Sequence, residues 1–274
     1  GLNNELYANL VAAAQYAAYE QSVARQMVSV FDMPANSGKI VQVPVWSAIS
    51  AENITNEGPA NPRNTDTNSA TISMTEHVVY HQVTDMLKDS AYNNVLTQLG
   101  EQSGRAIAES MDNEVFSKFA DLSGSTTSIA VASFGKDDIM DRVATLRANK
   151  LTGPFYAVLH PQAANQIKKS LTATDAYTAS GAVADNILSN YFVGQLAGCR
   201  IVESALVPYD SVTGVATCAI FAPSALGHAM RGGVTVEEQR QAAARATDLV
   251  VTGVAGATAL QASHGIIMNV DLVA

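Results

Sequence analysis

The chain has 274 residues, enough for one large domain or two smaller ones that share a core. Apolar residues make up 47 % and charged residues only 15 %, against a usual charged share of about 25 %; a surface covered by partners and a monomer rich in Ala, Ser, Thr and Asn both account for this. A net charge of −9 and a pI near 4.9, with only sparse basic groups at Lys168-Lys169 and Arg240/Arg245, exclude a protein that coats nucleic acid through a basic stripe.

Residues from about Asn4 to Val30 read as a helix, with Leu6, Leu10, Ala14, Ala17 and Met27 apolar and Asn3 or Asn4 as its cap. Pro34 and Asn36-Ser37-Gly38 end it. Two strand-like runs follow. The first, Ile40 to Trp46, carries Val41, Val43 and Val45 on one face; the return run alternates Ile72 and Met74 with Ser73 and Thr75. Between them, Ser50 to Ser69 holds five asparagines and two prolines, and polar loops of that length are usually functional or disordered. A two-stranded ribbon is marginal alone in water, and the sequence shows no evident third strand beside it. Its support is therefore expected from another copy of the chain.

After a β-type run at Val78–Val83, the strongest helical pattern extends from about Asp89 to Asp121. Tyr92, Val95, Leu96, Leu99, Ile107, Met111, Val115, Phe116 and Phe119 recur at three- and four-residue steps, and Ser123-Gly124-Ser125 stops the pattern. Asp112 and Glu114 on this helix read as solvated or as paired with a neighbour's arginine. A second helix starts at Asp137 or Asp138, with Ile139, Met140, Val143 and Leu146 facing inward. Phe155–Leu159 then reads as a strand, and Pro161 suits the first position of the helix Gln162–Leu171. Thr172–Ala184 reads as a flexible loop. Strands are expected at Cys199–Val202, Ala216–Phe221, Val234–Val236 and Ile266–Leu272.

No residue pattern points to catalysis, a cofactor or a metal. His77 and His81 lie four apart, but their β-branched surroundings indicate a strand, which would separate them by about 13 Å; a polar strand face is the expectation. His160, His228 and His264 are scattered singly, Gly-x-Ser-x-Gly and phosphate-loop patterns are missing, and Asp137-Asp138 with Asp141 form an ordinary acidic first turn. Cys199 and Cys218 have no metal-ligand spacing; they are read as reduced and buried, or as neighbours on adjoining strands. No secretory signal and no uncharged apolar run of about 18–20 residues is visible. The closest run, Leu249–Ser263, is rich in Gly, Thr and Ala. Synthesis in the cytosol, without membrane contact, is expected.

The order of these pieces resembles the major capsid proteins of tailed double-stranded DNA bacteriophages, which share the Hong Kong 97-type fold. Phe155 to Ala163 is similar to that family's strand ending at a proline-started helix. Leu196 to Val202 with Val207-Pro208 resembles its glycine-turn strand, and Ala219 to Leu226 followed by Arg231-Gly232-Gly233 resembles a strand and turn of the domain at the capsomer centre.

The resemblance implies an α+β fold with an N-terminal arm (1–35), an extended β-hairpin loop (36–80) and a peripheral domain (81–172) with a spine helix (89–121). An axial domain (173–262) and a C-terminal strand returning to the peripheral domain (263–274) complete it. It implies pentamers and hexamers of an icosahedral head around double-stranded DNA, bound without sequence specificity. Assembly in the host bacterial cytoplasm with scaffolding and portal proteins, and cement proteins in some members, is implied too. Trp46, Ile54, Arg63, Ile72 and Met74 are the candidate subunit-interface residues of the extended loop, since aromatics and arginine anchor interfaces. Some members weld subunits through a lysine on this loop. No lysine stands between Ile40 and Leu87, so cohesion is expected to be non-covalent. The alternatives are an encapsulin-type bacterial shell protein and a soluble oligomeric enzyme.

Overall fold

The computed structural model describes residues 12, 14, 22–34, 37–46, 51, 67–90, 95–124, 127–175 and 195–273. In chain order come β1 (Ser29–Met33), β2 (Ile40–Trp46), β3 (Thr67–Ser73), β4 (Thr75–Thr84), the short helix α1 (Asp85–Ser90) and the spine helix α2 (Val95–Ser117), which a 3-10 turn at Lys118–Asp121 extends. Then follow β5 (Ile129–Ala130), α3 (Lys136–Ala148), β6 (Phe155–Leu159), α4 (Pro161–Asp175), β7 (Gln195–Leu196), β8 (Cys199–Glu203) and β9 (Tyr209–Asp210). The last strands are β10 (Val215–Phe221), the long hairpin β11 (Leu226–Gln241) and β12 (Ala246–Ala259), and β13 (Gly265–Asp271).

The hairpin β11–β12 is the centre of a four-stranded sheet ordered β1-β11-β12-β4. The spine helix lies on one face of it. Ile107 and Met111 are buried there with Val83, Met230, Val234, Val236, Leu249 and Val251. The helix sits close because β12 is bare where it crosses: a Cβ on Gly253 would stand 2.9 Å from Met111 Cε and 3.0 Å from Ile107 Cγ2. On the opposite face a Cβ on Gly256 would meet the Ser73 carbonyl oxygen at 2.3 Å. Strand β12 thus carries the helix on one side and the stem of the β2–β3 ribbon on the other. Only Val234–Val236 of this long hairpin was expected as strand, and its Gly, Ala and Thr content explains the difference.

The second sheet runs β5-β13-β10-β6-β8-β7, with β9 beside β10. β6 and β8 pair in parallel and the helix α4 crosses between them. Ile139, Val143 and Leu146 of α3 and Ala163, Ala164 and Ile167 of α4 bury their faces in one core with Phe155, Ile220 and Phe221. The spine reaches this core through its C-terminal end, where the Phe119 ring lies 5.3 Å from Phe116 and 5.5 Å from Phe221. Met140, expected inward, is exposed. α4 runs on to Asp175, through residues expected to be loop; 176–184 lie outside the described residues.

The two sheets do not divide the chain at 172 and 262. Strands β11 and β12, expected in an axial domain, pair with β4 beneath the spine helix, whereas α3, β6 and α4, expected with the spine, build the second sheet. Strand β13 pairs with β10 and with β5, and Ile266 bridges Ser123, so the C-terminal strand does meet residues of 81–172, though in the second sheet. The reason is hydrophobic continuity: β6, β10 and β13 each bury large side chains against α3 and α4, and such strands cannot be shared out between two layers.

The helix expected over Asn4–Val30 is also corrected at its C-terminal end. Residues 24–26 form a 3-10 turn, and Ser29–Met33 becomes β1, parallel to β11. Asp112 of the spine holds this segment. It is 3 % exposed and accepts hydrogen bonds from Ser22 Oγ at 2.6 Å, Val23 N at 2.9 Å and Ala24 N at 3.2 Å. Its carboxylate fills the N-terminus of the turn as an N-cap side chain would, but from 88 to 90 residues away. The solvated role expected for Asp112 is therefore replaced by a buried clasp.

Two predictions arise from this packing. Gly256→Val forces the Ser73 backbone away and should cost about 1–3 kcal/mol, lowering Tm by several degrees at about 2–4 °C per kcal/mol; Gly38→Ala, with open space around it, should leave Tm unchanged in the same thermal scan. Asp112→Ala strands buried donors at about 1–3 kcal/mol, and should speed amide exchange at Val23 and Ala24 well before that of β6.

Candidate assembly surface

The ribbon pairs β2 with β3 in antiparallel register, from Ile40 opposite Ser73 at its stem to Trp46 opposite Thr67 at its far end. Alternation follows from the strand period of two: Val41, Val43 and Val45 are half-buried, while Ile40, Gln42, Pro44 and Trp46 are exposed. At the stem, Val41 and Val43 pack with Phe31, Met33 and Val254 around the buried Ile72, Met74 and Ala229. Met74 N donates to the Lys39 carbonyl at 2.9 Å and closes the stem.

This placement sorts the candidate interface residues. Ile72 is 0 % and Met74 5 % exposed, both covered by their own chain, so neither is available to a neighbour. They were expected at an interface because no supporting strand was evident; the glycine- and alanine-rich β12 is that support. Trp46 is 63 % exposed at the ribbon's far end. Ile54 and Arg63 lie outside the described residues.

Between the ribbon and the β12–β13 connection lies a cleft of about 660 Å³, lined among others by Val45, Trp46, Ala70, Leu260, Gln261 and His264. A second apolar area that sequence reasoning missed runs along β4, where Val78 and Tyr80 are both about half exposed. Their alternation with His77, Val79 and His81 was the available signal, since a strand covered on one face turns every second residue to the other.

The inward face of β4 alternates His77 and His81 with the apolar Val79 and Val83. His77 Nδ1 sits 2.7 Å from Ser110 Oγ and its Nε2 lies 3.1 Å from Glu114 Oε2; His81 Nε2 lies 3.0 Å from Ser103 Oγ. Glu114 thus pairs within the chain, correcting its expected partner. No group of three or more metal-ligating side chains occurs among the described residues. Asp138 accepts from Gly135 N at 3.0 Å and pairs with Arg142, as a helix-start carboxylate does. Cys199 and Cys218 are free, buried and separated by strand β6; burial pushes both thiols up to about 12, leaving them protonated at neutral pH. The His160 backbone N–H, not its ring, meets Cys218 Sγ at 3.5 Å, and the ring stacks on Tyr209.

The fold has many solved relatives. The capsid of cyanophage P-SCSP1u is similar with a TM-score of 0.71 at 18 % identity, covering 92 % of this chain and 88 % of that one. The capsid of an empty GTA particle gives 0.69 at 14 % identity, covering 91 % and 89 %. A virus-like particle from Pyrococcus furiosus gives 0.62 at 12 % identity, covering 94 % and 97 %. No curated protein sequence matches the chain significantly. A family model described as phage capsid protein matches residues 69–268, from the return strand of the ribbon to β13. The chain belongs to the phage capsid protein family and is a major capsid protein of the Hong Kong 97-type fold.

Proposed function

We propose that this capsid protein assembles as pentamers and hexamers into an icosahedral head, and that the ribbon's far end is clasped by an adjacent copy. The observation that carries the reading is Trp46, a large aromatic 63 % exposed on an arm whose stem is fixed. Aromatic side chains of this kind are the usual anchors of protein interfaces. The sheet under the spine forms the peripheral part of the subunit. The sheet with α3 and α4 forms the axial part at the capsomer centre.

In this reading double-stranded DNA is enclosed, not gripped. A net charge of −9 favours a wall that repels phosphate, and the genome's packing leaves no need for base contacts. Assembly takes place in the host bacterial cytoplasm, with a scaffolding protein and around a portal, with cement proteins as optional reinforcement. A second reading, an encapsulin-type shell that holds cargo in place of a genome, draws on the likeness to the Pyrococcus furiosus particle.

Negative-stain microscopy of shells made in infected cells separates the two: DNA-filled heads support the first reading, small shells with protein cargo the second. No shells in that material, with the chain running on a sizing column below the roughly 140 kDa of five 28.7 kDa subunits, overturns both. Trp46→Ala should leave Tm unchanged and raise the critical assembly concentration about 10–100-fold, as loss of an anchor contributing ~2 kcal/mol would; shells forming at the wild-type concentration would remove Trp46 from the interface. Without a lysine between Ile40 and Leu87, assembled shells boiled in detergent should run as single chains, with no ladder of welded subunits.

A further inference from the structure

His228 lies where the N-terminal segment, the spine helix and the long hairpin meet. It is 2 % exposed on β11, in register with Val30 of β1 and Ala257 of β12. Its Nδ1 is buried with no hydrogen-bond partner. The strand period places it on the same face of β11 as Met230, whose sulfur accepts from Arg25 Nη1 at 3.2 Å. Arg25 crosses this face to reach Asp32, where its Nη2 lies 2.9 Å from both carboxylate oxygens. The charged and titratable groups around the imidazole come from every element packed here: Arg25 from the 3-10 turn, Asp32 from β1, Glu114 from α2 and His77 from β4.

We propose that His228 is an acid-sensitive latch for the segment Ser22–Met33: protonating it sets a second cation beneath Arg25 and drives this segment off the spine and the sheet. The imidazole has no acceptor waiting at Nδ1, so a proton added there gains a charge without gaining a hydrogen bond. The latch acts within one subunit and needs no neighbouring copy.

Burial first, and then the Arg25 cation, pull His228 down to about 4 from its ordinary 6.5, with Glu114 and Asp32 opposing. A released segment exposes the ring and restores the ordinary value. The docked state therefore binds fewer protons. Docking is at full strength above about pH 6.5 and weakens as pH falls towards 4, by at most about 300-fold. Asp112 works in the opposite sense. Burial raises its carboxyl above the ordinary value despite the lowering hydrogen bonds from Ser22, Val23 and Ala24; acid favours that clasp, and the stability it contributes falls as pH rises through the raised value. Release in acid cannot come from Asp112.

The test is amide exchange of the full chain, read by mass spectrometry on peptides covering 22–33 and 155–159, between pH 7.5 and 4.5 with intrinsic rates divided out. Protection of 22–33 should fall 30-fold or more on acidification while 155–159 holds. His228→Gln should flatten that fall, and Arg25→Gln should make it shallower, because the docked imidazole then lies closer to its ordinary value. A flat wild-type profile, an unchanged slope in His228→Gln, or equal losses in both peptides would overturn the proposal. Should His228→Gln fail to fold, Arg25→Gln decides alone: a fall as deep as that of the wild type counts against the latch.

Discussion

Strand β12 must be thin on both faces, and the rest of the molecule is arranged around that. Gly253 lets Met111 and Ile107 of the spine rest on backbone, and Gly256 lets the Ser73 carbonyl approach from the other side. Any larger side chain at either place would push a layer outward. Bare backbone offers little apolar area, so β12 is held instead by its ladders, antiparallel to β11 along most of its length and to β4 from Ala246 to Ala255. A strand paired on both edges is a poor place to slip register. Helix, hairpin and ribbon stem are therefore fixed to one another through a single strand.

Below the spine, the packing combines two chemistries. Over β12 the contacts are apolar, with Ile107 and Met111 buried. Over β4 the hydrogen bonds of His77 and His81 to Ser110, Glu114 and Ser103 alternate with the apolar Val79 and Val83. Apolar contact sets how closely the helix sits but tolerates rotation about its axis. Directional hydrogen bonds along a second line remove that freedom. For a helix of 23 residues, roughly 34 Å long, a few degrees of roll would be felt at both ends, including at Phe119 in the second core.

What could be read from the sequence was whatever large apolar side chains write periodically. The spine's Ile107, Met111, Val115 and Phe116 gave the helix; Phe155–Leu159 with Pro161 gave the strand and the helix start. The hairpin β11–β12 was hidden because Ala255, Gly256, Ala257 and Thr258 carry little β signal, although they form the sheet's centre. Ile72 and Met74 were correctly placed on one face of a ribbon, but a periodic pattern says only that a face is covered, not by which chain. Asp112 was misread for a related reason. A carboxylate on a helix looks solvated until the segment that covers it is in place, and that segment begins 90 residues earlier. Trp46 falls on the face of β2 opposite Val41, Val43 and Val45, and there it is exposed.

A shell protein has to combine a body that does not deform with extensions that reach other bodies at varying angles. Here the joint between the two is unusually close to the body's centre. The ribbon does not hang from a loop; its stem, through Ile72 and Met74, is part of the same packing that holds β12 and, on the strand's far side, the spine. A torque applied at Trp46 is therefore resisted at Gly256 and passed through one strand thickness to Met111. The N-terminal segment enters the same structure through Asp112, one residue further along the spine helix. Both extensions converge on a single turn of α2, so displacement of either is mechanically available to the other without passing through the second sheet. That convergence gives a subunit in a shell a short physical route from contacts made by its ribbon to the docking of its own N-terminal segment.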